Sequence, residues 1–162
     1  MMATPALDRI VRLETGKSAD LDGVMKVMTD AFGNRYGEAW TQSQCAGILP
    51  MSGVSLRLAR DAHSGAIIGF SLFRSIAGES ELLLLAVLPS RHREGVGMRL
   101  LDDFIGQAQN DGIARVHLEV RDGNPAISMY RSAGFTQVGR RRNYYHGADG
   151  LRFDALTYAL EL

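Results

Sequence analysis

The stretch LAVLPSRHREGVG, residues 85–97, is the part of the chain that decides how the fold is interpreted. It runs from an apolar segment through Pro89 into a basic turn punctuated by Gly95 and Gly97, and MRLLDDFIGQAQ follows at once. If this turn opens a helix, the first amides of the helix have no intrahelical partner, and glycine leaves them accessible to a ligand. Such amides, with the helix dipole behind them and Arg91 and Arg93 beside them, suit a phosphate. An ordinary glycine-rich turn between a strand and a helix has the same spacing, so both interpretations stay open.

Two better-known phosphate motifs do not fit this turn. A P-loop ends in Gly-Lys-Ser or Gly-Lys-Thr, whereas this chain has Gly97-Met98-Arg99, with no lysine and no hydroxyl for magnesium. A dinucleotide-binding fingerprint needs a third glycine where Leu100 stands. The sequence therefore favours neither a magnesium nucleotide site nor a dinucleotide site.

Hydrophobic periodicity on both sides of this stretch predicts a single mixed domain over residues 1–162. Strands are predicted at 9–14, on either side of a turn at 61–65, at 81–87, at 114–121 and in the final FDALTYALEL; helices are predicted at 21–32 and 41–49, after the turn to about residue 110, and between Asn124 and Gly134. The segment 81–87 is apolar on both faces, which is typical of a central strand. The order predicts an α+β fold, with a mostly antiparallel sheet and helices on its faces.

Composition narrows the range of functions. The 162 residues carry 18 Lys and Arg against 18 Asp and Glu, so no global field draws the protein to nucleic acid or to a membrane surface. Cys45 is the one cysteine, which excludes an internal disulfide and a metal site built from several cysteines. The first residues have neither a signal-peptide core nor a targeting pattern, and no apolar run is long enough to span a membrane. We therefore expect a cytoplasmic protein that binds no metal.

Three segments in order resemble the Gcn5-related N-acetyltransferase (GNAT) family. They are LAVLPSRHREGVGMRLL, LEVRDGNPAISMYRSAGF and RRRNYYHGADGLRFDALTYAL, and they are most similar to the RimI-type members, which acetylate the N-terminal alanine of a ribosomal protein. The N-terminal half agrees in element order and in Trp40-Thr41. The resemblance implies the GNAT fold, in which two parallel strands in the middle of the sheet splay apart and the cofactor fits between them.

The resemblance also implies acetyl-coenzyme A as the cofactor and a set of residues that bind it. The pyrophosphate would lie on the backbone amides of Arg93, Glu94, Gly95, Val96, Gly97 and Met98, the pantetheine and the thioester would lie along Leu85, Ala86 and Val87, and Asn124 would add a further contact. The sequence departs from the family in two places. His92 stands where Gln or Arg is usual, and the spacing from Asn124 to Tyr130 is one residue shorter than usual.

Acetyl transfer needs a base for the ammonium group and an acid for the departing thiolate. The resemblance implies Glu119 as the base, and His117 on the same face of the strand is an alternative. It implies Tyr130 as the acid, since a phenol with a pKa of about 10 is protonated at neutral pH. A backbone amide near Ala86 or Val87 would meet the developing oxyanion. Cys45 has no companion motif and is interpreted as a buried apolar residue rather than a nucleophile.

The acceptor amine is predicted to be the N-terminus of a protein. At pH 7 roughly a tenth of α-amino groups are neutral, whereas less than about a thousandth of lysine side chains are neutral. A single glutamate base therefore suits an α-amine better than a lysine. The resemblance places Tyr144 and Tyr145 against the first residues of a peptide and gives Asp149 or Asp154 the ammonium group. Three alternatives remain: a small-molecule amine acceptor, an acyl-coenzyme A-binding module without turnover, and an RNA-binding protein. Monomer and homodimer both remain open.

Overall fold

The computed structural model describes residues 10–162, so the predicted start of the first strand at Arg9 lies outside the described residues. Within residues 10–162, seven strands form one sheet in the order β1-β2-β3-β4-β5-β7-β6. They are β1 (Val11–Thr15), β2 (Val54–Asp61), β3 (Ile67–Ile76), β4 (Glu79–Val87), β5 (Arg115–Arg121), β6 (Thr136–His146) and β7 (Arg152–Glu161). The strand predicted to be central, β4, is the fourth of the seven, and all pairs except β4 with β5 are antiparallel.

Helices cover both faces of the sheet. They are α1 (Leu21–Phe32), α2 (Gln42–Ile48), α3 (Val96–Asn110) and α4 (Ile127–Ser132). Helices α1 and α2 share one apolar cluster with β2, β3 and β4, and α3 shares another with β5, β7 and Tyr130. No helix within residues 10–162 is long and apolar enough to cross a membrane. The predicted α+β fold is confirmed.

The starts of α2 and α4 show how local sequence sets the element boundaries. Helix α2 begins behind Thr41, whose hydroxyl accepts from the Gln44 amide at 3.1 Å while the Gln44 side chain accepts from the Thr41 amide at 2.8 Å. This reciprocal pair is a capping box. The pair Asn124-Pro125 predicts a helix with Asn124 as its cap and Pro125 as its first residue, but helix α4 begins two residues later, at Ile127. Asn124 first closes a turn, because its backbone carbonyl accepts from the Ile127 amide.

Strands β4 and β5 pair in parallel over only four residues. Pairing runs from Glu79 opposite Arg115 to Leu82 opposite Leu118 and then stops. A bulge interrupts the β3–β4 ladder at this point, since Leu82 pairs with Phe73 and Leu84 with Leu72. A bulge bends its strand and increases the local twist. Residues 83–87 of β4 and 119–121 of β5 therefore diverge, and the predicted splayed pair is confirmed.

Candidate active site

One wall of the wedge between β4 and β5 is the free edge of β4. The Leu88 amide donates to the Ile68 carbonyl at 2.8 Å. Because hydrogen-bonded pairs alternate along an antiparallel ladder, Ala86 also faces β3, whereas the polar backbone groups of Leu85 and Val87 face the wedge. Of the two amides predicted to meet an oxyanion, Val87 is the one with this orientation. His92 reaches the same edge, with its Nε2 3.0 Å from the Val87 carbonyl oxygen.

The turn at 93–98 has the shape of an anion cradle. Gly95 caps α3 with a φ of 82° and Arg93 has a φ of 66°, so residues of positive φ lie on both sides of Glu94. Left-handed residues also occur in the backbone nests that bind anions. None of the amides of residues 93–98 has a hydrogen-bond partner among residues 10–162. The 15-residue helix α3 adds the positive end of its dipole. These features fit a diphosphate of the kind that coenzyme A carries.

Arg91 stabilises this turn. Its Nε lies 3.0 Å from Glu94 and its Nη1 donates to Asp61 at 2.9 Å, so one guanidinium joins the turn to the end of β2. Backbone amides at residues 63 and 64 together with Arg91 hold the pKa of the Asp61 carboxyl well below its usual range. The side chains of Arg91 and Glu94 are therefore engaged with the protein, which leaves the backbone amides as the binding groups.

Glu119 lies where β4 and β5 separate, at the first residue of β5 beyond the parallel pairing. Its carboxylate contacts Arg141 on β6 at 2.8 Å, and the Tyr144 hydroxyl is close enough to favour its charged form. Burial raises the pKa of Glu119 above its ordinary value; Arg141, His117 and Tyr144 oppose the shift and Glu81 adds to it. A carboxylate whose pKa is raised in a cleft is suited to accept a proton at neutral pH.

His117, the alternative base, is paired with a second carboxylate. Its Nε2 lies 3.0 Å from Glu81 on β4, and both side chains line a cavity of about 420 Å³ beside α2. The alternation of β5 places His117 and Glu119 on the same face, as predicted. His117 is thus engaged with Glu81, while Glu119 occupies the point of divergence.

Tyr130 is almost completely buried, with 6% of its surface exposed. It projects from α4 and its ring meets Phe135 edge to face at 6.1 Å. Burial, and to a lesser extent the charge of Glu38, raises the pKa of Tyr130 well above its ordinary value. The phenol therefore keeps its proton throughout the physiological pH range, as a proton donor must.

The segment predicted to bind the acceptor contains a wide bulge in β6. Arg141 pairs with Ala155 and Tyr145 with Phe153, so three residues of β6 lie opposite Asp154 alone. Asp154 accepts from the Asn143 amide at 2.9 Å and from Arg140 at 2.7 Å, so its carboxylate holds the bulge in place. The bulge presents both predicted tyrosines together, with the rings of Tyr144 and Tyr145 5.0 Å apart.

Asp149, the other carboxylate predicted to hold the ammonium group, lies exposed in the turn between β6 and β7. It accepts from the Leu151 amide at 3.1 Å, which closes that turn. The structure thus gives Asp149 and Asp154 defined structural contacts, and their predicted contact with an ammonium group stays a prediction.

A loop that sequence reasoning did not select closes over this region. Residues 33–41 join α1 to α2 and meet the β6–β7 turn, where the Ala148 amide donates to the Asn34 carbonyl at 3.2 Å. Gly37 has a φ of 72°, and a Cβ there would collide with the His146 carbonyl. The close approach of the two backbones thus requires glycine.

A buried ion pair joins this loop to β5, and sequence reasoning gave neither of its residues a role. Glu38 and Arg121 form an ion pair at 3.3 Å, and each side chain is only 10% exposed. Strand alternation places Arg121 on the face of β5 that carries Glu119, so Arg121 could be identified from the sequence. The loop around Glu38 has no periodicity that would identify Glu38.

Comparison with known proteins places this arrangement in a family. The profile of the acetyltransferase (GNAT) family matches residues 21–135. The [ribosomal protein bS18]-alanine N-acetyltransferase of Escherichia coli K12 is 38% identical over 101 residues, which cover 62% of this chain and 68% of that protein. The N-alpha-acetyltransferase RimI of Mycobacterium tuberculosis is 39% identical over 92 residues, or 52% of this chain and 56% of that protein.

Solved structures agree with the sequence comparison. The crystal structure of the E. coli ribosomal-protein-S18-alanine N-acetyltransferase superposes with a TM-score of 0.83 at 28% identity, covering 94% of each chain. That of Ard1 from Thermoplasma volcanium gives 0.82 at 25% identity, covering 94% of this chain and 98% of the other. The predicted family and acetyl-coenzyme A-dependent N-acetyltransferase activity are confirmed. The chain therefore belongs to the GNAT family of acetyltransferases.

Proposed function

We propose that this enzyme transfers the acetyl group of acetyl-coenzyme A directly to the N-terminal α-amine of a protein, with Glu119 as the base and Tyr130 as the acid. The observation that carries the proposal is the position of Glu119, with its raised pKa, where β4 and β5 diverge. The names of the relatives support the acceptor, since those proteins act on an alanine of ribosomal protein bS18. A cytoplasmic location and a single domain over residues 1–162 fit this proposal and stay predictions.

The donor would be held by backbone groups. Amides of residues 93–98 bind its diphosphate, and the wedge-facing groups of Leu85 and Val87 bind the pantetheine arm as a neighbouring strand would. Acetyl-coenzyme A supplies an activated acyl carbon, to which the amine nitrogen bonds as the carbon–sulfur bond breaks. The Val87 amide donates to the acyl oxygen, on which negative charge develops during the reaction.

The protons are moved by side chains. Glu119 accepts the proton that the ammonium group must lose before its nitrogen can attack, either directly or through a water molecule. Tyr130 donates its hydroxyl proton to the departing thiolate. A second proton leaves the nitrogen as the amide forms, and proton exchange with solvent restores Tyr130 and Glu119 for the next turnover.

The aromatic wall beside Glu119 favours a chain end as the acceptor. Residues 33–41 and the β6–β7 turn meet above the bulge of β6, and Tyr144 and Tyr145 form one wall beside Glu119. An extended N-terminus can lie along this aromatic wall, on which Tyr144 is 46% exposed and so accessible to a peptide. This geometry favours the N-terminal acceptor over the small-amine alternative, since a small amine needs no extended wall.

A competition among acceptors tests the proposal. The enzyme is incubated with acetyl-coenzyme A and an Ala-starting peptide that also contains one lysine, and mass spectrometry locates the added acetyl group. We expect a single acetyl group on the α-amine and none on an N-terminally blocked copy of the peptide. Thiol release with polyamines, aminoglycosides or amino acids, but not with peptides, would contradict the proposal. Tight coenzyme A binding without thiol release for any amine would favour the binding module.

Gly95→Val is expected to weaken coenzyme A binding at least about tenfold. A β-branched residue is strongly disfavoured at the φ of 82° that Gly95 adopts, so the turn must rearrange and its amides no longer converge. Isothermal titration calorimetry measures the effect. Gly106→Ala in α3 is the control, because a Cβ there meets nothing within 4 Å, and its coenzyme A affinity is expected to equal that of the wild type.

Arg141→Met is expected to move the acid limb of the kcat profile to higher pH. Arg141 holds the pKa of Glu119 down against the effect of burial, so without this cation the carboxylate keeps its proton to a higher pH and the base form appears later. Rates at saturating substrate between pH 5 and 9 check this. An unchanged or lowered acid limb would contradict Glu119 as the titrating base. Arg142→Met on the same bulge is the matched control.

A further inference from the structure

We infer that Glu38 is a positioning residue, which ties the loop at residues 33–41 to Asn124 and so holds the start of the helix that carries Tyr130. The inference rests on the proposed role of Tyr130. It concerns a residue that lies in neither the cofactor cradle nor the catalytic pair.

The first step concerns the partners of the Glu38 carboxylate. One oxygen accepts from Asn124 Nδ2 at 2.8 Å, and the other lies 3.3 Å from Arg121 Nε. A carboxylate that is only 10% exposed must be paired and hydrogen-bonded to be tolerated there. Glu38 thus connects the α1–α2 loop to β5 and to the turn before α4.

The second step is that Asn124 has a single orientation. Its Oδ1 accepts from the Ala126 amide at 2.9 Å, so its Nδ2 must be the atom that faces Glu38. One side chain therefore caps the turn from which α4 starts and also binds the loop. Tyr130 follows one turn later, and its amide donates to the Ala126 carbonyl at 3.1 Å. Because Asn124 sets this turn, the contact with Glu38 fixes the origin of the helix.

The third step is that the tether is rigid on the loop side as well. The Arg121 guanidinium lies over the Tyr36 ring at 3.6 Å, and Tyr36 meets Phe153 of β7 edge to face at 5.0 Å. Arg121 also donates to the Asp122 carbonyl at 3.2 Å. The loop is therefore fixed by Glu38 and Tyr36 together, over the same buried arginine.

The Asn124 side chain, which was expected to contact the cofactor, is engaged within the protein in this arrangement. Asn124 uses one side-chain atom for the helix turn and donates one proton to Glu38, so its main contacts are within the protein. Burial and, after it, the charge of Glu38 raise the pKa of both Tyr130 and Tyr145, the proposed acid and a residue of the proposed acceptor wall.

Two double variants test the inference without leaving a buried charge unpaired. E38Q/R121M and E38M/R121M both remove the ion pair, but only the first keeps an oxygen that can accept from Asn124. We expect E38Q/R121M to keep kcat within about threefold of the wild type. E38M/R121M should lose at least about tenfold in kcat and retain its affinity for coenzyme A. Equal kcat values for the two variants, or a loss that matches weaker coenzyme A binding, would overturn the inference.

Two further readouts are independent of the acceptor, so they separate failure of this inference from failure of the proposed function. Trypsin cleavage after Arg35, located by mass spectrometry, should be at least about tenfold faster in E38M/R121M than in E38Q/R121M, because the loop is released. In the unmodified protein the Asn124 side-chain amide protons should exchange with solvent more slowly than those of the exposed Asn110. Equal cleavage rates or equal exchange rates would each overturn the tether.

Discussion

Glu119→Gln is expected to lower kcat about 10²- to 10⁴-fold, the range that general acid–base catalysis contributes. Glutamine keeps the shape of the side chain but cannot accept the ammonium proton. The coenzyme A affinity should be unchanged, since the residues that would hold the diphosphate lie in the turn and first residues of α3, at 93–98. Thiol release at saturating substrates measures the rate, and calorimetry with coenzyme A checks that the cofactor site is intact.

His117→Gln is the matched control, because it removes a titratable group from the same face of β5. We expect the kcat of this variant to stay within a few-fold of the wild type, since His117 Nε2 lies 3.0 Å from Glu81 and the side chain is not at the point where the strands diverge. A large loss in His117→Gln together with an active Glu119→Gln would reverse the two roles. Loss of the exposed Arg141 contact should have little effect on stability, because pairs at the surface contribute at most about 1 kcal/mol.

Tyr130→Phe is expected to lower kcat by about 10² or more, because the departing thiolate loses its proton donor while the buried ring keeps its packing. The pKa of this phenol lies far above its ordinary value, so the wild-type profile should show no falling limb from Tyr130 up to about pH 10. Steady-state kinetics at saturating substrates, carried out from pH 6 to 10, test both expectations.

Tyr158→Phe provides the control for Tyr130. Tyr158 is fully buried in β7, and its hydroxyl has no hydrogen-bond partner among residues 10–162. Removing an unsatisfied buried hydroxyl should leave the rate unchanged and keep or raise the melting temperature. If both tyrosine variants lose activity equally, the effect at Tyr130 is one of packing and the acid role is wrong.

The elements of the fold were largely predictable because local physics sets them. The helix at 21–32 follows from apolar residues at helical spacing, and the structure has it at Leu21–Phe32. The central place of β4 follows from apolar residues on both of its faces. The start of α4 was predicted two residues too early, because Asn124 uses its side chain to close a turn before the helix instead of capping Pro125 directly.

The sequence alone determined the two features that arise within one strand or one turn. These are the glycine turn with its unpaired amides at 93–98, and the common face of β5 that carries His117 and Glu119, since helix starts and strand alternation follow from neighbouring residues. Only the tertiary structure decided which residues from other elements contact these two features. The bulge that parts β4 from β5, the Arg141 partner of Glu119 and the buried pair of Glu38 with Arg121 join residues far apart in sequence. No local pattern encodes such contacts, because they form only when the sheet assembles and burial makes unpaired charges costly.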